Sequence, residues 1–157
     1  MRTDLRSWLA GLLVLVPLAL MAAAQGDPLV VQDAWIREAP PNAMALAGYL
    51  SIENRGKTDR ALVAVHSPAF TRVELHRSIQ EGGVAKMVPQ DSMPIPAGGR
   101  LVLRPGDYHL MMMHPTRPLQ AGDTVEATLQ FDDGATQEVS FQVRRGHGEM
   151  HEHHHHE

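Results

Sequence analysis

From residue 28 onward the chain is written in short runs of apolar and polar residues, cut at regular intervals by turn formers. Runs rich in β-branched and apolar residues, bounded by Gly, Pro, Asn and Asp, are the signature of strands. They predict strands at Leu29–Arg37, Ala47–Glu53, Ala61–His66, Arg72–Ser78, Val84–Val88, Arg100–Leu103, Tyr108–Met112, Thr124–Phe131 and Gln137–Arg144. The intervening segments carry turn chemistry: Asn54-Arg55-Gly56-Lys57, Glu81-Gly82-Gly83, Pro94-Ile95-Pro96-Ala97-Gly98-Gly99, Pro105-Gly106-Asp107, Gln120-Ala121-Gly122-Asp123 and Asp132-Asp133-Gly134. Asp133-Gly134 between two alternating strands is a hairpin signal. No stretch after residue 25 shows a long 3.6-residue apolar period, and no internal repeat is visible. Short strands with frequent turns predict an all-β sandwich or barrel. Trp35, Tyr49, Phe131 and Phe141 are the expected aromatic core.

The N-terminus has a different pattern. Arg2 and Arg6 precede an uncharged apolar run, Trp8 to Met21, followed by Ala22-Ala23-Ala24. That is the pattern of an export signal cleaved after Ala24. The run is short against the roughly 20 residues of a spanning helix, and Pro17 interrupts it. The expected domains are residues 1–24 as signal peptide, 25–145 as the folded domain and 146–157 as a tail. The mature chain of about 133 residues suffices for one β core.

Charge and cysteine content narrow the function. The full chain carries 14 Lys and Arg against 18 Asp and Glu. Loss of Arg2, Arg6 and Asp4 with the leader leaves 12 against 17, a formal charge of −5. A basic stripe for nucleic acid is absent. The chain has no cysteine, which excludes blue-copper electron transfer, cysteine zinc sites and thiol catalysis. No Cys follows the apolar run, which argues against a lipid-anchored form. No G-x-S-x-G nucleophile motif occurs either.

The last 11 residues, HGEMHEHHHHE, hold six of the ten histidines, Met150 and three glutamates. With no core-forming residue they read as a disordered tail. A purification tag is the alternative, but only four histidines are consecutive, Glu is mixed in, and the sequence keeps its leader. His-rich tracts bind metals, so His147, Met150, His151, His153, His154, His155 and His156 are expected tail ligands. Imidazole and carboxylate donors there suit Cu(II).

DYHLMMMH, Asp107 to His114, is the second unusual segment. On a strand, Leu110 and Met112 face one way and His109 and Met111 the other. Packing accounts for Met112. It accounts poorly for His109, whose face it shares with Met111. Imidazole beside thioether favours monovalent copper. Upstream, His76 ends VELH and Met87 lies near the end of VAKMV, with a glycine turn between them that would bring both to one rim. His66 reads as a surface or structural residue. Met113 and His114 adjoin the site, as neighbours of the ligands or alternative ligands. Met44 and Met93 read as packing or loop residues.

The spacing of His76, Met87, His109 and Met111 is H-x10-M-x21-H-x-M. This resembles the signature of the periplasmic copper chaperones called PCuAC. The flanks DAWIREAPPNAMALAGYLSIEN, RVELH, MPIPAGGRLVLRPGDYHLMMM and PLQAGDTVEATLQFDDG are similar too, from about Val31 to Val143. The resemblance implies a cupredoxin-like β-sandwich or barrel and these four residues as Cu(I) ligands. It also implies copper delivery toward the dinuclear copper site of cytochrome c oxidase, directly or through a thioredoxin-like assembly factor. Some family members carry His/Met-rich C-terminal extensions like this one.

Two rivals stand beside the soluble periplasmic carrier. One is a copper buffer or resistance protein without a dedicated acceptor, which the tail would serve. The other is a copper enzyme, which would need an open coordination position and a substrate pocket; the expectation is that the protein is not an enzyme. No nucleic-acid partner, and no membrane after signal cleavage, is expected.

Overall fold

A computed structural model describes residues 28–146. The expected signal peptide and all the expected tail ligands lie outside the described residues. Within them there is no helix, and ten strands run in chain order. They are β1 (Leu29–Arg37), β2 (Ala45–Asn54), β3 (Arg60–His66), β4 (Phe70–Glu81), β5 (Val84–Pro89), β6 (Met93–Ile95), β7 (Arg100–Val102), β8 (Tyr108–Pro115), β9 (Thr124–Phe131) and β10 (Thr136–Arg144).

One hydrogen-bonded path, β5-β4-β8-β2-β1-β10-β9-β3-β6, joins nine of them, and β7 pairs with β2 beyond the end of the β8 ladder. Only β1 and β10 run parallel; the other ladders are antiparallel. The path bends back on itself. β3 approaches β4, and β6 approaches β7 and β2. Its inner face holds Ile36, Leu50, Ile52, Leu62, Leu110, Met112, Leu129, Phe131 and Phe141, all nearly sealed from solvent. The all-β architecture follows from the alternation: most strands give every second side chain to this core, while β5 gives none.

Some boundaries differ from the sequence reading. β4 is longer, reaching from Phe70 to Glu81, and β8 runs on to Pro115. Pro94 and Ile95, read as the start of a turn, form with Met93 the edge strand β6, with Met93 and Ile95 buried on either side of Pro94. Proline is tolerated on an edge, where its missing N–H costs no ladder bond. Asn54, buried, holds β6 in place by donating from Nδ2 to the Ile95 carbonyl at 3.0 Å.

Trp35 is a correction to the expected core, whereas Tyr49, Phe131 and Phe141 are buried. The β1–β2 register shifts between Gln32 and Trp35, with Asp33 at φ 50°. A bulge changes which residues face inward. Leu29 and Val31 pack toward the core before it, Ala34 and Ile36 after it. Trp35 therefore lies on the outer face, half-buried, its ring centroid 4.6 Å from that of Tyr49. Tyr49 is buried but stands outside the main apolar cluster. Burial pushes its phenol above the usual tyrosine range, with nearby Arg37 pulling the other way.

Candidate metal centre

The outer face of β5, β4 and β8 carries the predicted residues. Two turns fix its register. Gly82 and Gly83, both at positive φ, form the two-residue turn between β4 and β5, the geometry that hairpins favour. Arg104-Pro105-Gly106-Asp107 closes with Asp107 N–H donating to the Arg104 carbonyl, and delivers the chain into β8.

In the resulting ladders His76 stands directly opposite His109. Met111 is opposite Glu74, and Met87 is opposite Ser78. Directly paired residues share a face, as do residues two apart. His76, Met87, His109 and Met111 thus lie on one face, while Leu75, Leu110 and Met112 take the other side into the core. His76 is the hub. Each methionine is its diagonal neighbour, ~7–8 Å away between Cα atoms, Met111 on one side and Met87 on the other. The two methionines are not neighbours of each other.

The imidazoles are close and enclosed. Their centroids are 5.8 Å apart, nearly edge to face. His76 is 8% and His109 4% exposed, so the rings are sunk below the rim on which the sequence places them. Met111 is half-buried, and Met87 is 60% exposed on the terminal strand β5.

Hydrogen bonding sets the state of each ring. His76 Nε2 lies 2.9 Å from Glu74 Oε2, and His109 Nδ1 lies 3.0 Å from the Asp107 carbonyl oxygen. A carboxylate and a carbonyl only accept, so both of these nitrogens donate. In the neutral ring the remaining nitrogen then carries a lone pair. Those atoms, His76 Nδ1 and His109 Nε2, are buried and have no partner. A buried nitrogen without a partner is uncommon in native folds. Two of them on facing rings fit an ion that supplies the missing contact, with the other ring nitrogen anchored as is usual in metal ligands.

Glu74 and Asp107 were not singled out in the sequence, yet the signal was present. Each lies two positions before its histidine: Glu74 on the same face of β4, and Asp107 in the turn before β8, where its backbone carbonyl is the partner. Glu74 is itself held by Arg72 Nε at 2.8 Å. The Asp107 carbonyl also accepts from Ser78 N–H at 3.1 Å, tying the turn to β4.

Among the described residues, no three His, Cys, Asp or Glu side chains gather as a metal cage. What the ladder gathers is two imidazoles with two thioethers nearby, a soft and neutral donor set. Of the other candidates, His66 is exposed at the end of β3, and Met93 is a buried core residue on β6. Met113 follows Met111 on the same face, paired with Ala45, and His114 is exposed beyond it.

The sequence profile described as "Putative lipoprotein LpqE-like" matches residues 29–143. "Putative lipoprotein Lxx21020" of Leifsonia xyli subsp. xyli is 34% identical over 121 residues, covering 76% of this chain and 72% of its own length. "Uncharacterized protein RP573" of Rickettsia prowazekii is 29% identical over 134 residues, covering 78% and 74%. Among solved structures, that of CuI-DR1885 from Deinococcus radiodurans matches with TM-score 0.61 and 34% identity, over 82% of this chain and 86% of that one. The copper-bound PCuAC domain from PmoF2 matches with TM-score 0.65, over 76% and 94%; at 18% identity it speaks for the fold alone. A profile match across almost the whole described domain, joined by a 34% identical relative, establishes that the chain belongs to the LpqE-like family.

Proposed function

We propose that this protein is a periplasmic copper chaperone whose cargo is one Cu(I), bound by His76, Met87, His109 and Met111. The observation that carries the reading is the pair of bare, buried nitrogens on facing imidazoles, with both thioethers on the same face. The copper-bound state of its relative DR1885 supports the same cargo.

The donors select the oxidation state. Two imidazoles and two thioethers are all neutral, so Cu(I) adds a single positive charge to the enclosed face. Cu(II) would add two and prefers nitrogen and oxygen donors in tetragonal geometry. Thioethers do not titrate, so only the histidines exchange protons for metal.

In this reading residues 1–24 direct export and are removed, residues 25–145 form the carrier, and residues 146–157 bind Cu(II) through the tail histidines and Met150. The acceptor is the copper-bearing subunit of cytochrome c oxidase or a thioredoxin-like copper assembly factor. The role is carriage, not catalysis. The six tail histidines favour a second reading, a buffer that stores copper without a dedicated acceptor.

Anaerobic Cu(I) titration followed by mixing with candidate acceptor domains tests the proposal. A carrier loses Cu(I) faster with the true acceptor than with a small chelator of equal affinity. Loss at the same rate to both favours the buffer. Turnover of any substrate by the copper-loaded protein refutes the carrier reading.

A further inference from the structure

The proposed carrier site uses two donors of β8 and leaves the far end of that strand without a role. There the Ala45–Met113 pair is the last rung shared by β2 and β8, and His114 N–H donates to the Met44 carbonyl at 2.8 Å one step beyond. That bond makes Met44 and His114 neighbours across the strand end. Both line one open groove of about 470 Å³, together with Pro41, Pro115 and Arg117.

Neither side chain is used by the fold. Met44 is 64% exposed, a large apolar group outside the core. His114 is exposed, and its ring has no hydrogen bond or ion pair among the described residues. Its backbone is held at φ 50°, a left-handed conformation uncommon outside glycine. The flanking bonds hold it there: its N–H goes to Met44, and its carbonyl accepts from Thr71 Oγ1 at 3.3 Å. Backbone held in such a conformation is concentrated at functional sites. A simple end to the strand needs neither a histidine in this conformation nor an exposed methionine beside it.

We propose that Met44 and His114 form a second, two-donor site for a soft monovalent metal ion, at the opposite end of β8 from the buried imidazoles. One thioether and one imidazole suit Cu(I) or Ag(I). The groove selects against harder ions. It has no carboxylate, and its one charged lining residue is Arg117, a cation paired with Asp123 at 2.9 Å. A divalent ion would meet that positive charge with no anionic donor. His114 is three residues from Met111 along β8, about 10 Å, so the two sites share a strand but no donor.

Ag(I), a diamagnetic stand-in for Cu(I), tests this by NMR on the full chain with labelled methionine methyls and histidine rings. Silver nitrate is added in chloride-free buffer until every responding signal is saturated. The expected result is that the Met44 methyl and the His114 ring shift together. His114→Asn, which tolerates the left-handed backbone, should abolish the Met44 shift and leave those of Met87 and Met111. Met44→Leu should abolish the His114 ring shift. A Met44 methyl that stays still through the titration, or shifts equally in His114→Asn, overturns the proposal. Failure of the carrier site is read separately, on the His76 and His109 rings in the same spectra.

Discussion

His76 and His109 face each other across the β4–β8 ladder, and each ring is anchored through one nitrogen by a group two positions earlier in the chain. The anchors select different atoms. Glu74 takes Nε2 of His76 and leaves Nδ1, whereas the Asp107 carbonyl takes Nδ1 of His109 and leaves Nε2. The two bare nitrogens therefore belong to opposite tautomers.

Glu74→Ala removes the anchor of His76 without touching the core. Loss of such an outer partner typically costs 10–100-fold in metal affinity. Cu(I) affinity should fall by about that factor, measured by competition with a chromophoric chelator. Histidine ring nitrogen shifts should show His76 losing its Nε2–H preference. Unchanged affinity and unchanged shifts would mean that Glu74 does not position the ring.

Met111→Leu keeps size and apolarity while deleting the sulfur. Such a swap costs under about 1.5 kcal/mol of stability, so the fold should survive while Cu(I) affinity drops. Met87→Leu, at an exposed position, should change stability by no more than about 0.5 kcal/mol and also weaken the ion. A variant that matches wild type in chelator competition removes that methionine from the ligand set.

Gly48 tests the support beneath the site. It pairs with Leu110 on the core side of β2, and a Cβ there would lie 2.9 Å from Met112 Sδ. Gly48→Val should destabilise by about 1–3 kcal/mol through overpacking, read as a lower urea midpoint. Met112 Sδ must shift within a sealed core, and that displacement on β8 should loosen the His76–His109 geometry as well. A variant of wild-type stability would mean that the strands have room to part.

Acid should weaken the fold in a defined window. The Gln120 amide and then Arg117 hold Asp123 below its ordinary 3.8, and the hydrogen bond from Arg55 holds Glu53 below its ordinary 4.5. A group depressed in the folded state contributes stability above its unfolded value, and loses it as pH falls through the folded one. The urea midpoint should therefore decline below about pH 4.5, and Asp123→Asn should flatten part of that decline. Screening limits the size of the effect, since both carboxylates face solvent. A midpoint independent of pH between 5 and 3 contradicts this account.

Deleting residues 147–157 should abolish Cu(II) binding near neutral pH and leave Cu(I) binding unchanged. Protonation of the tail histidines near their ordinary value of about 6.5 should release Cu(II) in mild acid. Full Cu(II) affinity in the truncated protein would leave the tail as a spacer.

Most strands were legible because each has one buried face; β5, with no buried residue, was legible only as a short run after a glycine turn. Tyr108–Met112 is the clearest case: Leu110 and Met112 are buried and His109 and Met111 lie opposite, as the two-residue period demands. The spacing of the four donors was also visible, and the Gly82-Gly83 turn brings His76 and Met87 to one face. Three features were not legible. Pro94 disguised β6, since proline reads as a breaker and only long-range contacts, the ladder with β3 and the bond from Asn54, mark the segment as an edge strand. The bulge at Asp33 reversed the facing of Trp35, a change of phase that alternation alone cannot register. The burial of both histidines depends on neighbouring strands far apart in sequence, and a spacing carries no information about depth.

Among the described residues β5 ends the sheet, and the only strand bonded to it is β4. Met87 therefore rides on the element that frays at least cost, while His76, His109 and Met111 ride on interior strands. For an ion held by these four donors, that asymmetry separates equilibrium affinity from residence time. The outer thioether can swing away while three bonds persist, and an incoming donor can take its place before any of them breaks. Exchange then proceeds by substitution at one corner, and the ion need never pass through water.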